Sequence, residues 1–254
     1  MNVKIISNKN SHQYYMRKFE LAMAFFQKKD LKINDLQVYQ KADGTPVTNF
    51  DQELNEIFLE SFSHSYQEKK LYPYSEECEH QLKYPAFVID PVDGTRELIA
   101  GRKECALAMA VLHTDQIDDS SNFGLVWNFL NHEVYSSLCQ YPRPQRQESL
   151  QAGLVSRSEH KQGLYSVSSL NVKPMGSIAY KLALLAAGKT DFVISLRPKN
   201  LWDIAGGTLL CQQSGIVFYS DGKKIQKLNQ QLYQPPLIWS RESALEKILA
   251  SLSP

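Results

Sequence analysis

The sequence predicts an α/β protein in two unlike halves, an α+β first half over residues 1–145 and an α/β second half over residues 146–254. Three observations lead there. Two stretches with apolar residues at helical spacing precede a set of short apolar runs in the first half, and strands alternate with helices in the second. Between them PRPQRQESL, flanked by Tyr141 and Gln151, is rich in proline, arginine and glutamine and reads as the joint.

From Tyr14 to about Asp30, Phe19, Ala22, Met23 and Phe26 recur at helical spacing and predict an amphipathic helix. Lys41 to Pro46 reads as a turn. A second helix is expected from near Asp51, with Leu54, Ile57, Phe58, Phe62 and Tyr66 along one face and Asp51 favourably placed at its N-terminus. YPAFVID, residues 84–90, is a short apolar run closed by Pro91, a buried strand whose end delivers Asp90. Residues 106–112 (ALAMAVL) predict another strand, and 123–130 with 133–138 a hairpin around Asn131 and His132. In the second half, 154–156 reads as a strand, 177–187 as a helix stopped by Gly188, and 191–196 as a strand. A helix from about Asp203 to Gln213 ends near Gly215, and 216–219 resumes as a strand before the Asp221-Gly222 turn.

A chain of 254 residues can bury a core without disulfides or structural metals. With 28 basic against 27 acidic side chains the formal charge is +1, so no global field attracts nucleic acid or an anionic membrane, and an anionic substrate must be captured locally. Cys78, Cys105, Cys139 and Cys211 have no CxxC or zinc-type spacing and read as free thiols of a reducing compartment. No signal-peptide pattern opens the sequence and no stretch reaches the ~20 apolar residues of a membrane span, so the expected location is the cytoplasm.

DPVDGTREL, residues 90–98, packs two acids, a proline, a glycine and a hydroxyl into the turn after a buried strand. Two unit charges about 4 Å apart repel by roughly 4 kcal/mol at an effective dielectric of 20, so Asp90 and Asp93 converging in a cleft would call for a divalent cation or a proton. Pro91 could orient the Val92 carbonyl as a further oxygen ligand, and the backbone N–H groups of Gly94 and Thr95 could receive a phosphate oxygen. Taken alone, DxxDG is equally well an ordinary Asp-rich turn, Glu76-Glu77 a solvated surface, and Asp203 a helix cap.

Together these segments resemble the inositol monophosphatase superfamily of lithium-sensitive phosphatases. The resemblance runs in order through KADGTPVTNFD (41–51), SEE (75–77), DPVDGTREL (90–98), GLVSRSEH (153–160), GSIAYKLALLAAGKTDF (176–192) and LWDIAGG (201–207). It implies a sandwich of alternating helix and sheet layers, like that of fructose-1,6-bisphosphatase, with the active site in the cleft between halves. It also implies that Glu76, Asp90 and the Val92 carbonyl hold one Mg²⁺ and that Asp90, Asp93 and Asp203 hold another, with a third ion and replacement by Mn²⁺ open. Glu77 would support a bound water, and Asp51 would orient Thr95, which positions the nucleophile for in-line attack on a phosphate monoester. Histidine ligands are not expected; His12, His64, His80, His113 and His132 read as surface or loop residues.

The KADGTPVT opening, the SEE triplet and the SRSEH loop resemble the 3′(2′),5′-bisphosphate nucleotidase branch, which converts 3′-phosphoadenosine 5′-phosphate to AMP. Gly94, Thr95, Arg157, Ser158, Ser177, Lys181 and Arg197 are the candidate substrate contacts, while His160 and Lys199 read as solvated surface. Two features depart from that branch. Lys181 stands one place further from Gly176-Ser177 than its lysine does, and Arg197 lies closer to Trp202 than its arginine. Gly206 also replaces the usual alanine, and Leu98 a common phenylalanine. Inositol monophosphate is the alternative substrate, fructose 1,6-bisphosphate a third, and a silent phosphate-ligand sensor the alternative class. The expected partner is a small phosphorylated metabolite, and the superfamily is often dimeric.

Overall fold

The computed structural model describes residues 2–29, 31–63, 70–78, 81–141, 152–164 and 170–252. The joint at 142–151, Tyr66, His64 and His80 lie outside the described residues.

Helix α1 (Asn2–Lys28) starts well before the expected position and buries Tyr15, Phe19, Ala22 and Phe26 along one stripe. The turn at 41–46 joins β1 (Val38–Gln40) to β2 (Pro46–Thr48) in a hairpin. That hairpin feeds directly into α2 (Asn49–Ser61), whose first turn is closed by a capping box between Thr48 and Asp51. Leu54, Ile57 and Phe58 of α2, with Phe62 just beyond it, pack on the aromatic side chains of α1. The first sheet follows: β3 (Tyr72–Ser75), β4 (Ala86–Asp93), short helix α3 (Thr95–Ile99), β5 (Ala106–Leu112), β6 (Phe123–Asn128) and β7 (Glu133–Ser136). Its five strands lie in the order β3-β4-β5-β6-β7, antiparallel except for the β3/β4 pair. The expected strands at 106–112 and the hairpin around His132 are there; β3 carries too few apolar residues to have been read.

The second half opens with β8 (Gly153–Ser156), α4 (Arg157–Lys161), β9 (Val172–Met175), α5 (Ile178–Ala186), β10 (Phe192–Ser195) and β11 (Lys199–Asn200). It closes with α6 (Leu201–Gln213), β12 (Val217–Ser220), β13 (Lys223–Lys224), β14 (Leu232–Tyr233), β15 (Leu237–Ser240) and α7 (Leu245–Leu252). Six of these strands form a mixed sheet in the order β13-β12-β15-β10-β8-β9.

Alternation along β4 and β5 sorts the side chains to two cores. Phe87, Ile89, Leu107, Met109 and Val111 face α1 and α2, while Ala86, Val88, Ala106, Ala108 and Ala110 face α5 and α6. The same inner core continues to Val193, Leu237 and Trp239 of the second sheet, whose outer face packs Phe192, Ile194 and Ile238 on Ile248 of α7. Helix, sheet, helix, sheet and helix therefore stack in turn, the layered α/β sandwich expected from the resemblance. Among the described residues no helix is long and apolar enough to cross a membrane.

The alanine face of β5 matters because α6 lies directly on the first sheet. A Cβ on Gly206 would stand 2.5 Å from the Met109 carbonyl oxygen and 2.9 Å from that of Leu125, both backbone atoms that cannot swing aside. Glycine at this position is thus a packing requirement. Gly206→Ala is expected to cost about 1–3 kcal/mol by overpacking, read as a lower urea midpoint with an unchanged slope.

One strand differs from expectation in a way that shapes the site. Pro91 does not end β4; the strand runs on to Asp93. Asp90 pairs with Ala108 and Asp93 with Ala106, so three steps on β4 match two on β5. That is a bulge of one residue. Strict alternation would send Asp90 and Asp93 to opposite faces; the extra residue returns Asp93 to the face of Asp90, shared with Ala106 and Ala108, while Val92 turns into the outer core. Pro91, with no N–H to offer a ladder, is tolerated there.

Candidate metal and active site

Ligand oxygens of Glu76, Asp90 and Asp203 lie within 4.8 Å of one another. Glu76 follows the end of β3, Asp90 sits at the bulge of β4, and Asp203 occupies the third position of α6. The helix begins two residues earlier than expected because Asn200 caps it, and the capping box ties the Asn200 N–H to Asp203 Oδ2 at 2.8 Å. Asp93 stands beside this group. Its Oδ2 accepts the Ser177 hydroxyl at 2.7 Å and the Ala179 N–H at 2.6 Å, at the start of α5. Asp90 Oδ1 in turn accepts the Val92 N–H at 3.0 Å.

A common pattern emerges: each of the three aspartates is pinned through one oxygen by nearby backbone, which orients its carboxylate as a unit. Ionised carboxylates have further lone pairs to offer a ligand. The donor set is all oxygen, as Mg²⁺ and Mn²⁺ require. Burial pushes the pKa of Asp90 well up, with repulsion from Glu76, Asp93 and Asp203 adding to it. Burial likewise raises Asp93 against its hydrogen bonds to Ala179 and Ser177, and burial with the Asp93 charge lifts Asp203 to about 8. Such a cluster fits a divalent ion, since a cation relieves both the repulsion and the desolvation.

A cation of the chain already answers part of that demand. Lys41, at the start of the turn between β1 and β2, places Nζ 2.8 Å from Glu76 Oε1 and 2.7 Å from Glu77 Oε1. Burial opposes its charge, yet the two glutamates push its pKa up overall. Glu77 is raised by burial, with Lys41 pulling the other way. Lys41 was not singled out from the sequence, although it heads the matching segment KADGTPVT.

The folded-state pKa values of these aspartates lie above the ordinary 3.8. The stability they lend the metal-free protein is complete below that unfolded value and is lost as pH rises through the folded one, about 8 for Asp203. The metal-free protein is therefore expected to lose melting temperature from about pH 4 to about pH 8, and Mg²⁺ to restore most of it at the upper end. Thermal melts with chelator and with Mg²⁺ check this; a pH-independent gain from Mg²⁺ would mean that the carboxylates do not compete with protons for it.

Asp51 is 1 % exposed and joins the site to α2. Its Oδ2 accepts the Thr48 N–H and hydroxyl at 2.8 and 2.5 Å, and its Oδ1 accepts the Thr95 hydroxyl at 3.0 Å. Gly94, at φ 96°, begins α3 in the left-handed region that glycine alone adopts without strain. A cleft of about 370 Å³ is lined by Gly94, Thr95, Arg157, Ser158, Ser177 and Lys181 together with Glu76, Asp93 and Asp203.

The sequence-based substrate contacts fare unequally. Arg157 reaches the cleft wall, but its Nη2 lies 2.6 and 2.5 Å from the two Glu104 oxygens and its Nε 3.5 Å from Glu97. Glu104 is held below its ordinary range: burial alone would raise it, but Arg157 and the Gly176 N–H outweigh that. Ser177 spends its hydroxyl on Asp93, and Lys181 is 1 % exposed with Nζ bonded to two carbonyl oxygens. Arg197 is exposed, bonds Gln162 and is not among the cleft residues. It sits past the end of β10, just after the segment where Glu159 accepts the Ser195 hydroxyl and the Leu196 N–H. Lys199, read as solvated surface, lines the cleft instead. One histidine departs from expectation: His12 is buried in α1 against Phe123, while His113, whose ring bonds the Tyr15 hydroxyl, and His132 lie in loops.

Residues 16–253 match the inositol monophosphatase family. The chain is 26% identical over 203 residues to Nus factor SuhB of Vibrio cholerae, covering 72% of this chain and 74% of that protein. It is 23% identical over 190 residues to inositol-1-monophosphatase of Bacillus subtilis, covering 66% and 70%. In fold it is similar to extragenic suppressor protein suhB from Bartonella henselae, with a TM-score of 0.73 at 19% identity over 94% of this chain and 98% of that one.

Proposed function

Because the chain belongs to the inositol monophosphatase family of Mg²⁺-dependent phosphatases, we propose that Glu76, Asp90, Asp93 and Asp203, with the Val92 carbonyl, hold two Mg²⁺ ions for hydrolysis of a small phosphate monoester. The convergence of Glu76, Asp90 and Asp203 within 4.8 Å carries this reading. Bound there, Mg²⁺ supplies charge neutralisation of the phosphate and of the developing leaving-group oxygen. Thr95 lines the cleft, and with its one proton given to Asp51 its hydroxyl oxygen can accept a hydrogen bond from an attacking water. Glu77, paired with Lys41 beside the ligand Glu76, is the proposed acceptor for the water's second proton. Lys199 offers an ammonium to the phosphate from the opposite wall.

For the ester itself, a monophosphate on a hydroxyl-rich carrier such as inositol agrees best with the cleft. A second phosphate needs a second receptor, and Arg157 is committed to Glu104 and Glu97 while Arg197 lies outside. The bisphosphate nucleotide reading draws on Lys199 and the exposed Arg96 at the cleft mouth as substitutes. Rates on inositol 1-phosphate, 3′-phosphoadenosine 5′-phosphate and fructose 1,6-bisphosphate, first with Mg²⁺ and then with added Li⁺, separate the readings. The highest kcat/KM on inositol 1-phosphate is expected. A preference for the nucleotide would move the assignment to that branch, and no Mg²⁺-dependent phosphate release from any of the three would remove the phosphatase reading for this chain.

A further inference from the structure

Lys181 has an unusual position for a lysine. It lies in the middle of α5 with 1 % exposure, and its Nζ donates to the carbonyl oxygens of Met175 and Gly176, both at 3.2 Å. A buried ammonium carries a desolvation penalty that two neutral carbonyls do not cancel, so it persists only where negative charge faces it. Asp93 does so first, followed by Glu159 and Glu104, with Lys199 opposing. Burial outweighs the attraction of Asp93, Glu159 and Glu104 and draws the Lys181 pKa down to about 8, which leaves the side chain mostly charged at neutral pH.

The same turn that Lys181 grips is the one that holds Asp93. Met175, Gly176 and Ser177 lead into α5, and Ser177, at φ 42°, delivers its hydroxyl to Asp93 Oδ2. The positive charge therefore sits at the back of the cleft wall, almost fully buried and held by the turn that also positions Asp93. Four carboxylates in one site attract divalent ions strongly, and a hydrolase must also release the phosphate that those ions hold. A cation fixed beside Asp93 opposes that attraction.

We propose that Lys181 is a positioning residue that acts as a built-in counter-cation, setting the Mg²⁺ affinity of the carboxylate cluster rather than contacting substrate. This rests on the two-ion reading above. A unit charge acting on a divalent ion through protein of effective dielectric near 20 shifts its affinity by about tenfold or more.

The test is calorimetric titration of Mg²⁺ into the whole protein without substrate, for wild type, Lys181→Gln and Lys181→Met. Gln removes the charge and keeps an amide N–H for the carbonyls; Met removes both. Mg²⁺ binding about tenfold tighter in Lys181→Gln is the expected result. Wild-type affinity in Lys181→Gln with weaker binding in Lys181→Met would reduce Lys181 to a clamp on the turn and overturn the proposal. So would a rise in KM for the ester with Mg²⁺ affinity unchanged, which would return Lys181 to the substrate. Circular dichroism and melts on the same samples report folding; loss of the folded state in both variants would make Lys181 a folding residue and overturn the proposal as well. Failure of the wild type to bind Mg²⁺ would instead strike the two-ion reading, so the two failures are distinguishable.

Discussion

Asp90→Asn is expected to lower Mg²⁺-supported turnover by about 10³-fold or more, through loss of a carboxylate proposed to be shared between two metal ions, while raising the melting temperature of the metal-free protein. The two effects have opposite signs for one reason. Asp90 is 1 % exposed, and its charge is opposed by burial and by Glu76, Asp93 and Asp203. Without a cation its charge is opposed on every side; as a proposed ligand it is stabilised by one. Asparagine keeps an oxygen for the Val92 N–H, so the bulge is preserved and only the charge is lost. The gain in melting temperature should grow with pH, because the wild-type acid loses its proton as pH climbs through its raised folded-state pKa and the amide has none to lose. Kinetics with saturating Mg²⁺ and melts in chelator measure both. Full turnover in the variant would remove Asp90 from the ligand set, and a fall in metal-free melting temperature would mean that the carboxylates do not repel one another.

Thr95→Ala is expected to reduce kcat by about 10²–10³-fold and to leave Mg²⁺ affinity within a factor of about two, since no proposed carboxylate ligand is touched. The Thr95 hydroxyl lies 3.0 Å from both Asp51 Oδ1 and the Val92 carbonyl oxygen, yet has one proton to give. Asp51 is the stronger acceptor when ionised, and its other oxygen is held by Thr48. Removing the hydroxyl leaves Asp51 Oδ1 buried without this donor, at a cost of about 1–2 kcal/mol in stability. Thr95→Ser should recover most of both. Equal losses in kcat for Ala and Ser would mean that the methyl group, not the hydroxyl, matters at this position.

The helices with wide apolar stripes and the strands with uninterrupted apolar runs were legible because their burial is local and repetitive. Phe19, Leu54 and Phe58 announce a buried helix face wherever the rest of the chain goes, and 106–112 is apolar on both faces because both faces are covered. The edge and short strands were not legible: β3 owes its existence to pairing with β4, and β13 is two exposed lysines held by β12. In the site, the acids could be picked out by type and order, but the cations could not be sorted. Lys41, Lys181, Lys199, Arg157 and Arg197 look alike in sequence; what separates them is which carboxylate or carbonyl each one meets.

By itself, the sequence determined the class of fold, the two amphipathic helices and the acids available to bind a hard cation, since these follow from the periodicity of apolar residues and from residue chemistry. Only the tertiary structure decided that Asp90 and Asp93 face the same way. The residues between them would alternate them apart, and one unpaired residue in β4, forced by its register against β5, turns them together. Register is a property of two strands at once, and the ion pair that commits Arg157 to Glu104 and the burial of Lys181 likewise depend on residues far away in the chain.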